Sequence, residues 1–310
     1  MKFLTFGAAA VLGAAFQSYT SSPKWAAQCR QQSIFDTKFK PFVLGEVINL
    51  AEDVAIFRFL LPKATDQFDL TPCSTLQGCF KEGSNIVDQP MRFYTPITPN
   101  GTKGFFDILV KKQPNGRFTE HLFSMDVGET LLFRTVQYKL QYKKNNWEEV
   151  GLIGGGTGIC PLLQFINASL DMPGDTTKLS LLFANKTENK ILLKGMLEEK
   201  ARKFQNRFKL HYTVDALENP ESSSTYKGYL GYIDEQMVKE TMPKPSLKNL
   251  VLVCGPDPMM TKVVGSSPMV LRAMSGGLAY QPTGTVLNNV SDVEGILGKL
   301  GYTKDMVYRF

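Results

Sequence analysis

The chain has 310 residues, 43% of them hydrophobic and 21% charged, with a formal net charge of +6 at pH 7. That is long and apolar enough for two cores of about 100 to 200 residues each, which excludes a disordered chain. The lysines and arginines are scattered in short clusters such as Lys111-Lys112 and Lys143-Lys144, without the basic stripe and interleaved aromatics of a nucleic-acid binder. A modest basic face suits an acidic protein or an anionic membrane surface, and serves solubility equally well.

The first residues, "MKFLTFGAAAVLGAAFQSY", carry an apolar run from Phe3 to Phe16 behind Lys2. It is short beside the roughly 20 residues of an ordinary spanning helix. We read residues 1–32 as an uncleaved hydrophobic anchor followed by a polar linker around Ser21, Ser22 and Pro23, with a cleaved signal peptide as the alternative. Lys24 and Arg30 after the run place the rest of the chain in the cytosol, on either the endoplasmic reticulum or the outer mitochondrial membrane. Five cysteines (Cys29, Cys73, Cys79, Cys160 and Cys254) form neither a disulfide framework nor a zinc spacing, as expected in a reducing compartment; a Cys73–Cys79 bridge is the alternative. The two histidines, His121 and His211, suggest no metal site. The Asn-x-Ser/Thr triplets at Asn100, Asn167 and Asn185 are read as chance.

From Phe39 to about Tyr142, short alternating or apolar runs separated by Gly, Pro and Asn turns ("PFVLGEVINL", "VAIFRFLLP", "MRFYTPI", "GFFDILVKK", "ETLLFRTV") predict an antiparallel barrel or sandwich over residues 33–145. In "RFYTPIT" an extended strand puts Arg92, Tyr94 and Pro96 on one face and Phe93 and Thr95 on the other. An arginine for phosphate, a tyrosine for a flat ring and a hydroxyl at the strand end together suit a flavin nucleotide. A core strand with a chance arginine is the plainer reading.

After "KKNNWEE" the runs "VGLIGGG", "KLSLLFAN", "FKLHYTVD" and "LVLVCGP" alternate with helical stretches, which predicts βαβ units and a parallel sheet over residues 146–310. "LIGGGTGICPLLQFI" reads as strand, glycine turn and a helix opened by Pro161, a seat for a dinucleotide pyrophosphate or simply a tight turn. Asp215 closes "FKLHYTVD", where a carboxylate can hold a ribose diol and repel a 2′-phosphate, favouring NADH, or can serve as an ordinary cap. Cys254 ends a buried strand before a Gly-Pro turn, beside a nicotinamide or merely as a small buried residue.

The stretches "RFYTPI", "GGGTGICP", "LLFANKTENKILL", "FKLHYTVD" and "VCGPDPMM", in this order, resemble the ferredoxin reductase-like flavoproteins, and among them the NADH-cytochrome b5 reductase family, over roughly residues 35 to 310. The resemblance implies an N-terminal antiparallel β-barrel FAD domain and a C-terminal α/β Rossmann-like NAD domain. It also implies that Arg92 binds the FAD pyrophosphate, Tyr94 packs along the isoalloxazine, Thr95 bonds near the hydride-accepting nitrogen, and Pro96 completes this FAD-binding motif. Val110 and Lys111 would form a second FAD contact, and Gly116, Phe118 and Thr119 a phosphate turn. On the nucleotide side it implies Gly156, Thr157, Asp215, Cys254, Gly255, Pro256 and Met259. Thr95 and Cys254 would be the catalytic pair, with FAD and NADH as cofactors and cytochrome b5 or a similar acidic haem protein as partner to a monomer. A quinone or another iron protein as acceptor, or a non-catalytic membrane-tethered scaffold, are the alternatives. Departures from the family pattern are Cys160 for a threonine, "TVQYKL" and "CSTL" for two turns, and the long stretch 265–290.

Overall fold

Short β-branched and aromatic runs with one face apolar make the first unit. In the computed structural model residues 34–80, 90–136, 140–218, 226–265 and 292–310 are described; the expected anchor and linker, Cys29 and nearly all of the stretch 265–290 lie outside them. The chain divides into two compact units, one ending at Tyr138 and the other running from Lys139 to Phe310. Among the described residues no helix is long and apolar enough to cross a membrane.

The first unit contains β1 (Lys40–Ala51), β2 (Val54–Leu60), β3 (Thr75–Cys79), β4 (Arg92–Tyr94), β5 (Phe105–Lys111), helix α1 (Arg117–Ser124) and β6 (Thr130–Val136). Its six strands form one antiparallel sheet in the order β4-β3-β6-β1-β2-β5. Alternation sends Phe42 and Leu44 of β1 inward and Pro41 and Val43 outward. Inside, Phe35 stacks on Phe42 at 5.2 Å between centroids, and Phe106 meets Phe133 edge-on at 5.4 Å, the offset and T-shaped geometry that ring quadrupoles favour.

The two edge strands are joined through the segment that follows β4. Ile97 N donates to Asp107 O at 2.9 Å, and Asp107 N donates to Thr98 Oγ1 at 2.6 Å. Asp107 is itself gripped from β2: Arg58 Nε and Nη2 donate to its two carboxylate oxygens at 2.9 and 3.0 Å. Arg58 Nη1 also donates to Glu46 Oε2 at 2.9 Å, and the guanidinium lies 3.9 Å from the centroid of the Phe105 ring.

The second unit contains β7 (Glu149–Gly155), α2 (Ile159–Asp171), β8 (Lys178–Asn185), α3 (Lys194–Lys203), β9 (Phe208–Val214), β10 (Tyr229–Leu230), α4 (Glu235–Thr241), β11 (Asn249–Cys254), α5 (Asp257–Val263), α6 (Ile296–Lys299) and β12 (Val307–Arg309). All its strand pairs are parallel, in the order β10-β9-β8-β7-β11-β12. The chain builds outward from β7 through β8 and β9, then returns to lay β11 on the other flank of β7. The strand order therefore reverses between β7 and β11, where such sheets open a crevice at their carboxyl ends.

Several expectations need correction. Within 92–98 only Arg92–Tyr94 is strand; the remainder is irregular because its polar groups bond to β5 rather than to a sheet ladder. In "CSTL", one of the departures from the family pattern, β3 starts at Thr75, two residues after Cys73, which has a left-handed φ of 64°. Cys73 and Cys79 are free and buried, which agrees with the main reading and removes the alternative of a bridge. The run "NKILLKGMLEEKARKF" is not one helix, because Leu193 is left-handed (φ 55°) and α3 starts after it. Pro161 is the third residue of α2, not the first; its missing N–H still falls among the four donors a helix start leaves unpaired. Strands β10 and β12 were not foreseen. Asn167 and Asn185 are buried, and Asn100 closes a turn through Leu70, consistent with reading the triplets as chance.

The Arg58–Asp107 clamp yields a stability prediction. Arg58→Met leaves a carboxylate that is 3% exposed without its counter-charge, which should cost about 3–5 kcal/mol in urea denaturation of the full-length chain. The double variant Arg58→Met/Asp107→Leu should recover most of that loss. A single-variant cost below about 1 kcal/mol would show that the pair is solvated instead.

Candidate functional site

In the first unit, β4 and the start of α1 are brought together by one aromatic side chain. Gly78 of β3 pairs with Arg92 of β4, and a Cβ at Gly78 would lie 2.9 Å from Phe118 Cζ. Phe118, the second residue of α1, thus packs onto the strand that carries Arg92, and its ring lies 5.5 Å from that of Tyr94. Phe118 is 1% exposed, so its side chain is core, and what the turn can offer a ligand is backbone. No side chain caps the helix, and its first N–H groups are the donors an anion needs. Thr119 Oγ1 accepts from Gln113 N at 3.0 Å and donates to Gly116 O at 3.0 Å, which fixes the turn.

Arg92 is exposed, with Nη1 donating to Met91 O at 2.9 Å. Tyr94 is partly buried; that burial pushes its phenol up, with the Arg92 charge opposing, so it stays neutral. Thr75 Oγ1 donates to Tyr94 O at 2.8 Å, and Thr95 and Pro96 follow as buried residues. Val110 is 1% exposed and belongs to the core, which leaves only its peptide groups for a ligand. Lys111 Nζ lies 3.4 Å from Asp53 Oδ2. A cation, uncapped helix donors and a neutral phenol on adjoining elements fit an anionic pyrophosphate joined to a flat ring.

In the second unit, the glycine turn and the Cys254 turn meet at the reversal of strand order. Gly154 and Cys254 are register partners, and a Cβ at Gly158 would stand 2.2 Å from Cys254 O. Only glycine allows that approach. Gly156 takes a φ of +53° and has nothing within 4 Å of where a Cβ would be, so the turn is open on one side. The 13-residue α2 behind it has no side-chain cap and no acidic residue in its first turn. Open space beside a glycine turn at an uncapped helix start fits a pyrophosphate. Thr157 is half-buried in the same turn, and Met259 Sδ would sit 2.7 Å from a Cβ at Gly155.

Cys254 is partly exposed, and burial pushes its thiol up to about 12, with Arg309 drawing it down. Cys160, in the first turn of α2, is buried, and its thiol is raised by burial and by neighbouring Cys254. Both are neutral thiols at physiological pH, too weakly ionised to act as nucleophiles. Gly255 and Pro256 lead into α5, with Pro256 exposed. Asp215 stands exposed just past β9, and its N donates to Asn185 O at 3.0 Å. The expected residues thus lie on and around β4 and α1 and at the end of β5 in one unit, and at the β7, β9 and β11 ends and the start of α5 in the other; among the described residues no hydrogen bond or ion pair joins Val110 or Lys111 to Arg92 or Tyr94. Among the described residues no group of acidic, histidine or cysteine side chains could hold a metal.

The sequence reading missed the Arg58–Asp107–Thr98 chain that holds the Thr95 segment, because its partners are 49 and 9 residues apart and no local pattern marks them. It also missed Arg309, whose Nη1 donates to Gly265 O at 3.0 Å beside the Cys254 turn.

The sequence matches two family models: an oxidoreductase FAD-binding domain over residues 41–142 and an oxidoreductase NAD-binding domain over residues 152–265. NADH-cytochrome b5 reductase 2 of Kluyveromyces lactis is 34% identical over 277 residues, covering 89% of this chain and 85% of that protein. An NADH-cytochrome b5 reductase-like protein of Arabidopsis thaliana is also 34% identical, over 88% of this chain and 77% of its own length. Among solved structures, the cytochrome b5 reductase domain of Ulva prolifera nitrate reductase superposes with a TM-score of 0.65 at 31% identity, covering 74% of this chain and 91% of that one. The glycine turn and the Cys254 turn fall inside the second matched domain and "RFYTPI" inside the first, and with identity of this order over most of both chains, the protein belongs to the NADH-cytochrome b5 reductase family.

Proposed function

We propose that this chain is a flavoprotein reductase that uses FAD and NADH and delivers electrons to cytochrome b5 or a similar acidic haem protein. The observation that carries the reading is the glycine turn pressed against the Cys254 carbonyl at the point where the strand order reverses. FAD, when bound, supplies the needed chemistry, since it takes up a hydride from NADH as an electron pair and can give electrons up singly.

The protein's own share is binding and alignment. Arg92 and the first N–H groups of α1 hold one pyrophosphate by charge-assisted hydrogen bonds. Tyr94, kept neutral, offers a flat apolar side to the ring, and Thr95 supplies a hydroxyl at the ring edge. Lys111 and the peptide groups of Val110 add a second contact. In the other unit the N–H groups after Gly156 and Thr157 take the second pyrophosphate, and Asp215 accepts hydrogen bonds from a ribose diol. Cys254, with Gly255, Pro256 and Met259, forms the wall against the nicotinamide. A neutral thiol there excludes water without placing a charge beside a migrating hydride. Because the transfer moves no proton, no general base is required of Thr95 or Cys254.

The run from Phe3 to Phe16 would tether a monomer to the endoplasmic reticulum or outer mitochondrial membrane, with both units in the cytosol. Exposed Arg117 and Lys143 are the candidate cations for steering an acidic partner; Lys144 is held by Pro173 O at 2.6 Å.

The purified full-length chain is expected to carry a yellow flavin that bleaches under anaerobic NADH. A chain that stays colourless when FAD is supplied would refute the reductase reading. Cys254→Ser should lower turnover about 10-fold while leaving the NADH dissociation constant within about 3-fold, because the lost group aligns rather than binds; unchanged turnover would remove the thiol from that role. Raising salt from low to physiological strength should slow reduction of cytochrome b5 and leave ferricyanide reduction unchanged. A flat response with cytochrome would reject electrostatic steering.

A further inference from the structure

The carboxyl end of β9 holds more than the aspartate. Strands β8 and β9 run parallel, and their last register pair is Asn185 with Val214. The pairing continues one step beyond both strands, where Asp215 N donates to Asn185 O at 3.0 Å and Ala216 N donates to Lys186 O at 3.2 Å. Lys186 and Asp215 therefore leave the sheet side by side, on strands about 4.8 Å apart. Both are exposed. Neither side chain makes a hydrogen bond or ion pair among the described residues. The next carboxylate, Glu218, is already engaged: it accepts from Thr187 Oγ1 at 2.7 Å and from Asn189 Nδ2. Lys186 is thus left beside Asp215 with its ammonium available to a ligand.

We propose that Lys186 is a specificity-determining residue that gives the ribose end of the nucleotide site an affinity for a 2′-phosphate, so that Asp215 does not select NADH strongly. The proposal rests on the dinucleotide reading of this crevice. A carboxylate alone accepts from a 2′-hydroxyl and repels a dianionic phosphate. An ammonium on the neighbouring strand opposes that repulsion and can donate to the phosphate oxygens. The two charges pull in opposite directions on one atom of the ligand, and the site discriminates only by their difference. The same lysine offers a neutral diol no comparable gain.

Calorimetric binding to the full-length flavoprotein separates these effects, with 5′-ADP as the probe without a 2′-phosphate and 2′,5′-ADP as the probe with one. Lys186→Gln should weaken 2′,5′-ADP about 3- to 10-fold and leave 5′-ADP within about 2-fold. Asp215→Asn should strengthen 2′,5′-ADP, since it removes the opposing charge and keeps Lys186. High salt should shrink the effect of Lys186→Gln. Equal shifts for both probes, or none for either, would overturn the assignment of Lys186. Failure of the wild-type chain to bind 5′-ADP at all would overturn the dinucleotide reading, and this proposal with it.

Discussion

The constraint on which the second unit's crevice depends is the contact between Gly158 and the carbonyl of Cys254, where a methyl group would come within 2.2 Å of the oxygen. It lets the turn after β7 close over the end of β11. The proposed pyrophosphate and nicotinamide contacts follow from that closure. The start of α2 is brought to the crevice with no side-chain cap, Met259 of α5 is packed against Gly155, and the Cys254 turn is held in place beside them. A larger residue at 158 would part the two turns and leave each strand end to the solvent.

The two units solve the same electrostatic problem with the same means. Each has an uncapped helix start, α1 in the first and α2 in the second, which in the proposed sites would face an anion, with the rest of the site drawn from neighbouring strand ends. The first unit supplements its weak, short helix with a full cation, Arg92; the second relies on a longer helix and open glycine backbone. The residues nearest the proposed rings are uncharged, since burial raises the Tyr94 phenol and the Cys254 thiol alike. In the proposed sites charge would stand at the phosphates and the ribose, where it selects the ligand, and away from the path of the hydride.

Rigidity of the flavin-side segment has a different origin. Thr95 and Pro96 lie between the end of β4 and residues 97–98, which are tied to Asp107, and Asp107 is gripped by Arg58 across β2. This irregular segment is thereby anchored at both ends without being a strand. A buried ion pair of this kind contributes little net stability over an apolar replacement, and its use here is to fix geometry.

Much of this was legible in the order of residues. Period-two runs broken by Gly, Pro and Asn turns identified the antiparallel unit, and long apolar strands alternating with helices identified the parallel one, because those periods report directly which faces are buried. The glycine turn, "RFYTPIT" and the Cys254 turn could be read because each is local: the chemistry lies within a few consecutive residues. Tertiary structure alone decided what joins distant segments. It showed that Phe118 is a core side chain bridging Gly78 and Tyr94, that Arg58 and Asp107 hold the Thr95 segment, that Cys73 and Cys79 do not pair, and that Lys186 stands beside Asp215. These depend on strand order and register, which arise from the burial of whole sheets, and no short stretch of sequence encodes them.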